Sequence, residues 1–235
     1  MRATLILAMF TASLAHADWG DYQEERDLSL DASSIAKLEI SAGAGSMLVE
    51  GVSGSDVINV RAIIQVPDED EEDAQQIIEK DMILTLEAKD DTAILKGYFD
   101  HNGWGNSPSM RLEVQLPERL ALEIDDSSGS IRVNDVHGDI EIDDSSGSIK
   151  MEQVGGNIQI EDGSGSITVD GAGGDVTIED GSGSVKVTDV QGSVTVDDGS
   201  GSITVRNVAQ DLIILDDGSG SVNYYDVQGR VELDD

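Results

Sequence analysis

Several residue types are absent or scarce in this 235-residue chain. There is no cysteine, which excludes disulfide bridges and metal sites built on thiolates. Aromatic residues make up only 3% of the chain, so aliphatic side chains must fill whatever interior it has. Lysine and arginine number 14 against 48 aspartates and glutamates, for a net charge of −34. This acidity argues against nucleic acid or an anionic membrane as a direct partner.

The first seventeen residues predict an export signal. Arg2 supplies a positive start, residues 3–14 are uncharged and largely apolar, and Ala-His-Ala at 15–17 fits a small-x-small cleavage site. The apolar run is shorter than the roughly 20 residues that a membrane-spanning helix needs, and no later stretch is long enough. We therefore expect a signal peptide over 1–17, no membrane span, and a location in the periplasm, in the medium or at the cell surface.

An eighteen-residue repeat fills the second half of the chain. Each copy opens with two acidic residues, and these pairs begin at positions 125, 143, 161, 179, 197, 216 and 234. The spacing is eighteen residues at every step except the one from 197 to 216, which contains one extra residue. Because a fixed period is the signature of a repeat architecture, we predict a stack of similar coils, with a local bulge at the inserted residue.

Each repeat contains two half-repeats that end in an apolar-x-apolar triplet. This period-two alternation is typical of a strand with one buried face, and the Gly-Ser pairs between the triplets suit corners. The inward residues predicted for two coils are Ile131, Val133, Val136, Ile140 and Ile142, and Val185, Val187, Val190, Val194 and Val196. The pattern predicts an all-β fold, a β-solenoid with six 18-residue coils over residues 125–235.

Residues 18–124 predict a degenerate coil followed by a small cap. The segment 41–60 repeats the Gly-Ser pattern with extra residues in its second half. The acidic run after Pro67 and the base Lys80 favour a helix at about 68–80, since acids stabilise the start of a helix and bases its end. Strand-like runs follow at 82–88, 92–99 and 110–116, with a glycine-rich loop at 100–109.

The run MRLEVQLPERLALEIDDSSGSIRV at 110–133 joins a proline-containing strand directly to the acidic Gly-Ser repeats. It resembles the bacterial putative-adhesin family, β-strand-repeat domains of unknown function found in exported proteins, and the likeness extends over about 30–235. The resemblance implies a solenoid-like fold and surface adhesion. It implies no catalytic residue.

The acidic pairs raise the question of a metal site. Their second members would form one row, namely Asp126, Asp144, Asp162, Asp180, Asp198 and Asp217. At the strand spacing of about 4.8 Å, two such carboxylates repel by roughly 0.9 kcal/mol even in bulk water. Three interpretations remain open: a ladder of solvated Asx turns, a weak and diffuse association with divalent cations, and discrete calcium sites. The first is the simplest, and no residue is assigned as a metal ligand.

A second row is basic. Arg132, Lys150 and Lys186 share the outward side of the first strand of their coils, where other coils carry Thr168, Thr204 and Asn223. The bases either neutralise the nearby acidic corners or dock an anionic envelope polymer. The irregularity of the row argues against an ice-binding face, which needs the same small residue in every coil. In the repeat with the insertion, Ile213 is expected to face outward.

The sequence does not predict catalysis. The acidic pairs recur in equal surroundings, so no single carboxyl is set apart as a proton donor. After the signal region the chain has two histidines, His101 in the glycine-rich loop and His137 at a corner. We therefore expect no catalytic residue and no cofactor.

The favoured function is that of an exported, non-enzymatic β-solenoid that presents polar repeat faces for binding, as an adhesin does. The alternative is a periplasmic scaffold or envelope-stress accessory protein that binds another protein. The expected partner is accordingly an unidentified surface polymer or envelope protein, with weak binding of divalent cations as a further expectation.

Overall fold

The computed structural model describes residues 21–100 and 107–234. The expected signal peptide over 1–17 and the loop residue His101 lie outside the described residues. In the described part, twenty strands form two ten-stranded sheets, and one helix accompanies them. No helix in the two described ranges is both long and apolar enough to cross a membrane.

The first nine strands and the helix build the N-terminal end of the molecule. They are β1 (Asp21–Asp31), β2 (Lys37–Ala42), β3 (Ala44–Val52), β4 (Val57–Pro67), α1 (Glu71–Asp81), β5 (Met82–Lys89), β6 (Thr92–Phe99), β7 (Ser109–Pro117), β8 (Ala121–Asp126) and β9 (Ser128–Asn134). The repeats supply β10 (Ile140–Asp144), β11 (Gly147–Val154), β12 (Ile158–Asp162), β13 (Gly165–Ala172), β14 (Val176–Asp180), β15 (Gly183–Val190), β16 (Val194–Asp198), β17 (Gly201–Val208), β18 (Leu212–Asp216), β19 (Ser221–Val227) and β20 (Val231–Leu233).

Each coil of the repeat region contributes one strand to each sheet. Sheet A has the order β1-β4-β7-β3-β9-β11-β13-β15-β17-β19, and sheet B has the order β20-β18-β16-β14-β12-β10-β8-β2-β6-β5. Neighbouring repeat strands are parallel and in register at steps of eighteen residues, so that Ile149 lies between Ile131 and Ile167. The predicted all-β solenoid of 18-residue coils is confirmed.

A narrow aliphatic core fills the space between the sheets. All ten inward residues predicted for the two coils are at most 2% exposed. Along β10, buried and exposed residues alternate strictly. The buried core of the described residues consists of leucine, isoleucine, valine, alanine and methionine side chains, which fill the interior without a buried aromatic residue.

The N-terminal end departs from the order of the sequence. Strand β2 pairs in parallel with both β6 and β8, and β3 with both β7 and β9. The coil formed by β2 and β3 therefore lies between the pair β6–β7 and the pair β8–β9. In the chain, however, β4, α1 and β5 separate β3 from β6. The bounds predicted for the degenerate coil, 41–60, are wrong. The chain turns back at Gly54, which has a φ of +69°, and β4 then runs antiparallel between β1 and β7.

The single helix begins three residues later than the predicted range of about 68–80. Its N-cap is Asp70, whose carboxylate accepts the N–H groups of Glu72 and Asp73 at 3.0 and 3.1 Å. Ala74 and Ile78 are buried in the same apolar core as the strands. The helix lies at the end of the molecule formed by the antiparallel pairs β1–β4 and β5–β6.

The inserted residue forms a bulge, as predicted. Strands β16 and β18 are in register as far as Val196 and Ile214, after which Asp197 pairs with Asp216. The extra residue is Leu215, which is 49% exposed. Ile213 lies on the outward side of β18 and is half-buried.

Candidate functional site: the corners and the outer face of sheet A

The second acid of five acidic pairs points into the solenoid. The alternation of buried and exposed residues continues from the two aliphatic residues of each sheet B strand to the aspartate that follows them. The aspartates exposed by 5% or less are Asp126, Asp144, Asp162, Asp180 and Asp198. The expectation of fully solvated turns is wrong for these five, which form a sixth inward row. Asp217, which follows the bulge, is half-buried, and Asp216 accepts the turn hydrogen bond from Gly218 N–H at 2.8 Å.

One carboxylate oxygen of each buried aspartate closes the corner. The Oδ1 atom of Asp144 accepts the N–H of Ser146 at 3.1 Å, which is an Asx turn, as one interpretation of the sequence expected. The same bond recurs from Ser164 to Asp162, from Ser182 to Asp180 and from Ser200 to Asp198. The Oδ2 atoms of these four aspartates are buried without a hydrogen-bond partner among the described residues.

Burial raises the pKa of every aspartate in this inward row. Loss of solvation is the largest cause in each case, and it brings the pKa of Asp126 to about 7 and that of Asp162 to about 6. Repulsion from neighbouring aspartates of the row adds to the rise for Asp126, Asp162 and Asp180, whereas the Asx-turn hydrogen bonds oppose it. Asp126 and Asp162 therefore bind protons in weakly acidic solution.

A column of glycines makes room for the buried aspartates. Gly165 has a φ of +153°, and a Cβ atom there would lie 1.5 Å from the carbonyl oxygen of Gly147 in the preceding coil. The same atom would lie 3.3 Å from Oδ2 of Asp162. Glycine is required at this position by its backbone conformation and by the close approach of successive coils.

The first acids of the pairs form an outer row at the same corner. Asp125, Asp143, Glu161, Glu179 and Asp197 are in register from coil to coil. Four of them border a shallow depression of about 380 Å³. Within 21–100 and 107–234, no three acidic or histidine side chains are placed to hold a metal ion together. The arrangement in this part of the chain suits diffuse attraction of cations better than the six to eight oxygen ligands of a calcium site.

Side chains also join successive coils at the opposite corner. The N–H of Asn157 donates to Oδ1 of Asp139 at 2.8 Å, and the N–H of Asp175 donates to Oδ1 of Asn157 at 2.9 Å. The N–H of Ser193 continues the ladder by donating to Oδ1 of Asp175 at 2.7 Å. Sequence reasoning missed this ladder. Its signal is a short polar residue that follows a glycine at eighteen-residue intervals.

Two rows of residues, polar except for Leu48, run along the outer face of sheet A. One consists of serines in register, namely Ser46, Ser130, Ser148, Ser166, Ser184, Ser202 and Ser221. The other lies two residues further along each strand and consists of Leu48, Arg132, Lys150, Thr168, Lys186, Thr204 and Asn223. The three predicted bases therefore do share one row, which advances by about 4.8 Å per coil.

The bases of this row do not pair with the acidic corners. The Nζ atom of Lys150 lies 2.9 Å from Oε2 of Glu152 in the same strand. Neither Arg132 nor Lys186 forms an ion pair within the described ranges. Within the described ranges, none of the three bases therefore forms a direct ion pair with an acidic corner residue.

The histidine that the structure describes lies on the surface. His137 is a corner residue with a side chain that is 56% exposed, and its Nδ1 atom lies 3.8 Å from Oε2 of Glu118. His101 lies outside the described residues. An exposed imidazole beside one carboxylate resembles a surface ion pair more than the enclosed arrangement of a catalytic site.

Together, the fold and its surfaces define a two-sheeted parallel β-solenoid with repeated polar rows on its outer faces. The chain belongs to the Toastrack DUF4097 family, whose sequence model matches residues 59–233. This membership confirms the family resemblance inferred from residues 110–133.

The solved structures that are similar to this chain include the following three. A putative cell adhesion protein from Clostridium sporogenes is 14% identical over 89% of this chain and 99% of its own, with a TM-score of 0.44. A putative adhesin from Bacteroides fragilis is 12% identical over 87% and 97%, with a TM-score of 0.49. Another, from Parabacteroides distasonis, is 13% identical over 91% and 97%, with a TM-score of 0.38. No curated protein matches the chain.

Proposed function

We propose that this protein is a non-enzymatic binding module that acts outside the cytoplasm and attaches to a surface polymer, as an adhesin does. The observation that carries the proposal is the outer face of sheet A. There, an exposed serine and a basic or threonine residue recur in register over consecutive coils. A polymer lying along the stack would meet similar hydrogen-bond donors in each coil.

Repetition is the physical basis of such attachment. One serine hydroxyl or one exposed lysine contributes little to affinity, because each competes with water. When several such contacts are fixed on one rigid face, later contacts form within an existing complex and the affinities reinforce one another. A repeated face thus favours a repeated ligand over a small molecule.

Matched threonine pairs on the two sheets test which face binds. Thr168 and Thr204 lie on the outer face of sheet A, and Thr177 and Thr195 lie on the outer face of sheet B. We expect Thr168→Glu with Thr204→Glu to weaken binding to intact cells and to purified envelope polysaccharide at least tenfold, about 1.4 kcal/mol. The double variant Thr177→Glu with Thr195→Glu should bind both with an affinity within twofold of the unmodified protein. Equal binding by both double variants, or no binding by the unmodified protein, would contradict the proposal.

The location outside the cytoplasm rests on the signal predicted at 1–17 and needs its own experiment. Protease added to intact cells should digest the protein if it is displayed on the surface, and should reach it only after the outer barrier is opened if it is periplasmic. Recovery of the protein in the cytoplasmic fraction with residues 1–17 still attached would contradict export.

One observation favours the alternative, a scaffold that binds another protein. Strands β19 and β20 are the last strands of sheets A and B in the described part of the chain. Tyr224 and Leu233, which occupy inward rows, are 43% and 45% exposed there. A protein that adds a strand at this end would slow hydrogen exchange of the β19 and β20 amides. A polymer on sheet A would instead leave that exchange unchanged.

A further inference from the structure

One depression on the outer face of sheet A is lined by three basic side chains, although the protein as a whole is acidic. Its volume is about 220 Å³, and it lies across β7, β3, β9 and β11. Its polar lining consists of Arg111, Arg132, Lys150, Ser46, Ser130 and Ser148. Three of the 14 bases of the chain therefore converge on one place.

The depression depends on the crossover at the N-terminal end. The register places Ser46 beside Ser130, and Ser130 beside Ser148. Arg111 comes from β7, which pairs with β3 only because β6–β7 is inserted on the far side of the β2–β3 coil. The repeat supplies two of the three bases, and the cap supplies the third.

The charges of this depression do not cancel. Arg111 pairs with Glu113, and Lys150 pairs with Glu152, whereas Arg132 forms no ion pair in the described ranges. Three positive charges against two negative ones leave one positive charge, in a chain whose net charge is −34. The side chains of Arg111 and Lys150 are 54% and 42% exposed and can reorient towards a ligand.

We propose that this depression is an anion-binding subsite, which takes one phosphate, sulfate or carboxylate group of a polymer bound along sheet A. This inference rests on the proposed function, since the remainder of the polymer would occupy the serine and basic rows. Guanidinium groups bind oxyanions through paired N–H donors, and serine hydroxyls supply additional donors. The volume lies below the roughly 300–1,000 Å³ of ordinary small-molecule pockets, so it suits one charged group and not a whole ligand.

Arg132 and Lys186 provide a matched pair of variants. Both are bases of the same row without an ion pair in the described ranges, but only Arg132 lines the depression. Arg132→Gln and Lys186→Gln remove the same charge, and both variants should melt within about two degrees of the unmodified protein because these side chains lie on the outer face.

The experiment is an amide chemical-shift titration of the full mature chain with three probes: sodium sulfate, an oligogalacturonate, and a neutral oligosaccharide of equal length. We expect sulfate and oligogalacturonate, but not the neutral sugar, to shift the amides of Ser130, Arg132 and Ser148. Arg132→Gln should weaken oligogalacturonate binding at least tenfold, and Lys186→Gln by less than twofold. Added NaCl should weaken binding by the unmodified protein.

The outcomes separate the subsite from the proposed function. Equal weakening in both variants would overturn the subsite, because it would indicate attraction by the basic row as a whole. Sulfate binding without oligogalacturonate binding would overturn the assignment to a polymer. If the subsite behaves as expected while cells bind the sheet A and sheet B threonine variants equally, the subsite stands and the proposed function fails.

Discussion

At the scale of single residues, the buried aspartate row determines how each coil turns. Each carboxylate supplies the acceptor that a corner N–H needs. In Asp144, Asp162, Asp180 and Asp198 the second oxygen is buried without a partner among the described residues. Burying an unpaired polar atom costs free energy, and the cost is larger when the group is charged. An asparagine would keep the acceptor and remove the charge.

We therefore predict that Asp162→Asn stabilises the protein at pH 8. The Asn Oδ1 atom would still accept the N–H of Ser164, and the gain should be on the order of 1 kcal/mol after allowance for solvent near the corner. Glu161→Gln is the matched control, because it removes the same charge from the exposed neighbour and should change the melting temperature little. The melting temperatures of both variants are measured at pH 8 by circular dichroism. If Asp162→Asn lowers the melting temperature, or if both variants raise it equally, then burial of the Asp162 carboxylate does not destabilise the protein.

The glycine column gives a second prediction at this scale. Gly165→Ala should destabilise the protein by about 3 kcal/mol or more, because its Cβ atom would overlap the Gly147 carbonyl oxygen in a strained backbone conformation. Gly163→Ser is the comparison: a Cβ atom at Gly163 would lie 2.5 Å from the Ser145 carbonyl oxygen, against 1.5 Å at Gly165, and its backbone does not have a positive φ, so the loss of stability should be smaller. Urea unfolding measures both variants. A Gly165→Ala variant no less stable than Gly163→Ser would show that successive coils are not packed as described.

The sequence predicted the aliphatic rows better than it predicted the corner. Ile140 and Ile142 follow the period-two rule, and extending the same rule by one step places Asp144 inside as well. A charged residue is ordinarily assigned to solvent, so the alternation appeared to stop at the last aliphatic residue. Two features accommodate the aspartate: the Ser146 N–H donates to its Oδ1 atom, and the glycine at the corner has no Cβ atom that would occupy the space. Both are visible only in three dimensions.

At the scale of elements, the eighteen-residue coil tolerates change only at particular positions. The insertion at Leu215 is accommodated by a bulge, after which pairing resumes at Asp216. The crossover that places β6–β7 beside β2–β3 has no periodic signal, because it joins segments that are distant in the sequence. For the same reason the position of Arg111 near Arg132 and Lys150 could not be predicted from the repeat alone, whereas the alignment of Arg132 with Lys150 could.

Deleting Leu215 should restore the regular spacing without loss of stability. The side chain is 49% exposed, and its removal lets Asp216 follow Ile214 directly in the register of β16. We expect a melting temperature equal to or above that of the unmodified protein. Deleting Thr177 is the contrasting change, because it would turn Ile178 outward and Glu179 inward, and it should unfold that coil. If both deletions destabilise the protein equally, the bulge is not a relaxed feature of the fold.

At the scale of the whole molecule, acidity and stability are linked through the inward aspartate row. The pKa values of Asp126 and Asp162 in the folded protein, about 7 and about 6, lie above the ordinary value of 3.8. The folded state therefore binds more protons than the unfolded state between about pH 4 and pH 7. The stabilising contribution of these groups is complete below the ordinary pKa and is lost as the pH rises through the raised values.

We accordingly predict that the urea midpoint increases as the pH is lowered from 8 to 5. Repeating the series in 1 M NaCl separates the buried row from the surface charge, because salt screens exposed carboxylates far more than buried ones. The increase should persist in salt. A midpoint that falls on acidification, or an increase that disappears in salt, would contradict the role assigned to the buried aspartates.

The proposed function places the binding face on the outer face of sheet A. Purified envelope polysaccharide is added to the isotope-labelled protein, and the amide signals that shift are mapped. We expect the shifted amides to follow the serine and basic rows, from Ser130 and Arg132 along successive coils to Ser202 and Thr204. Shifts concentrated on the outer face of sheet B, or on β19 and β20 alone, would contradict it.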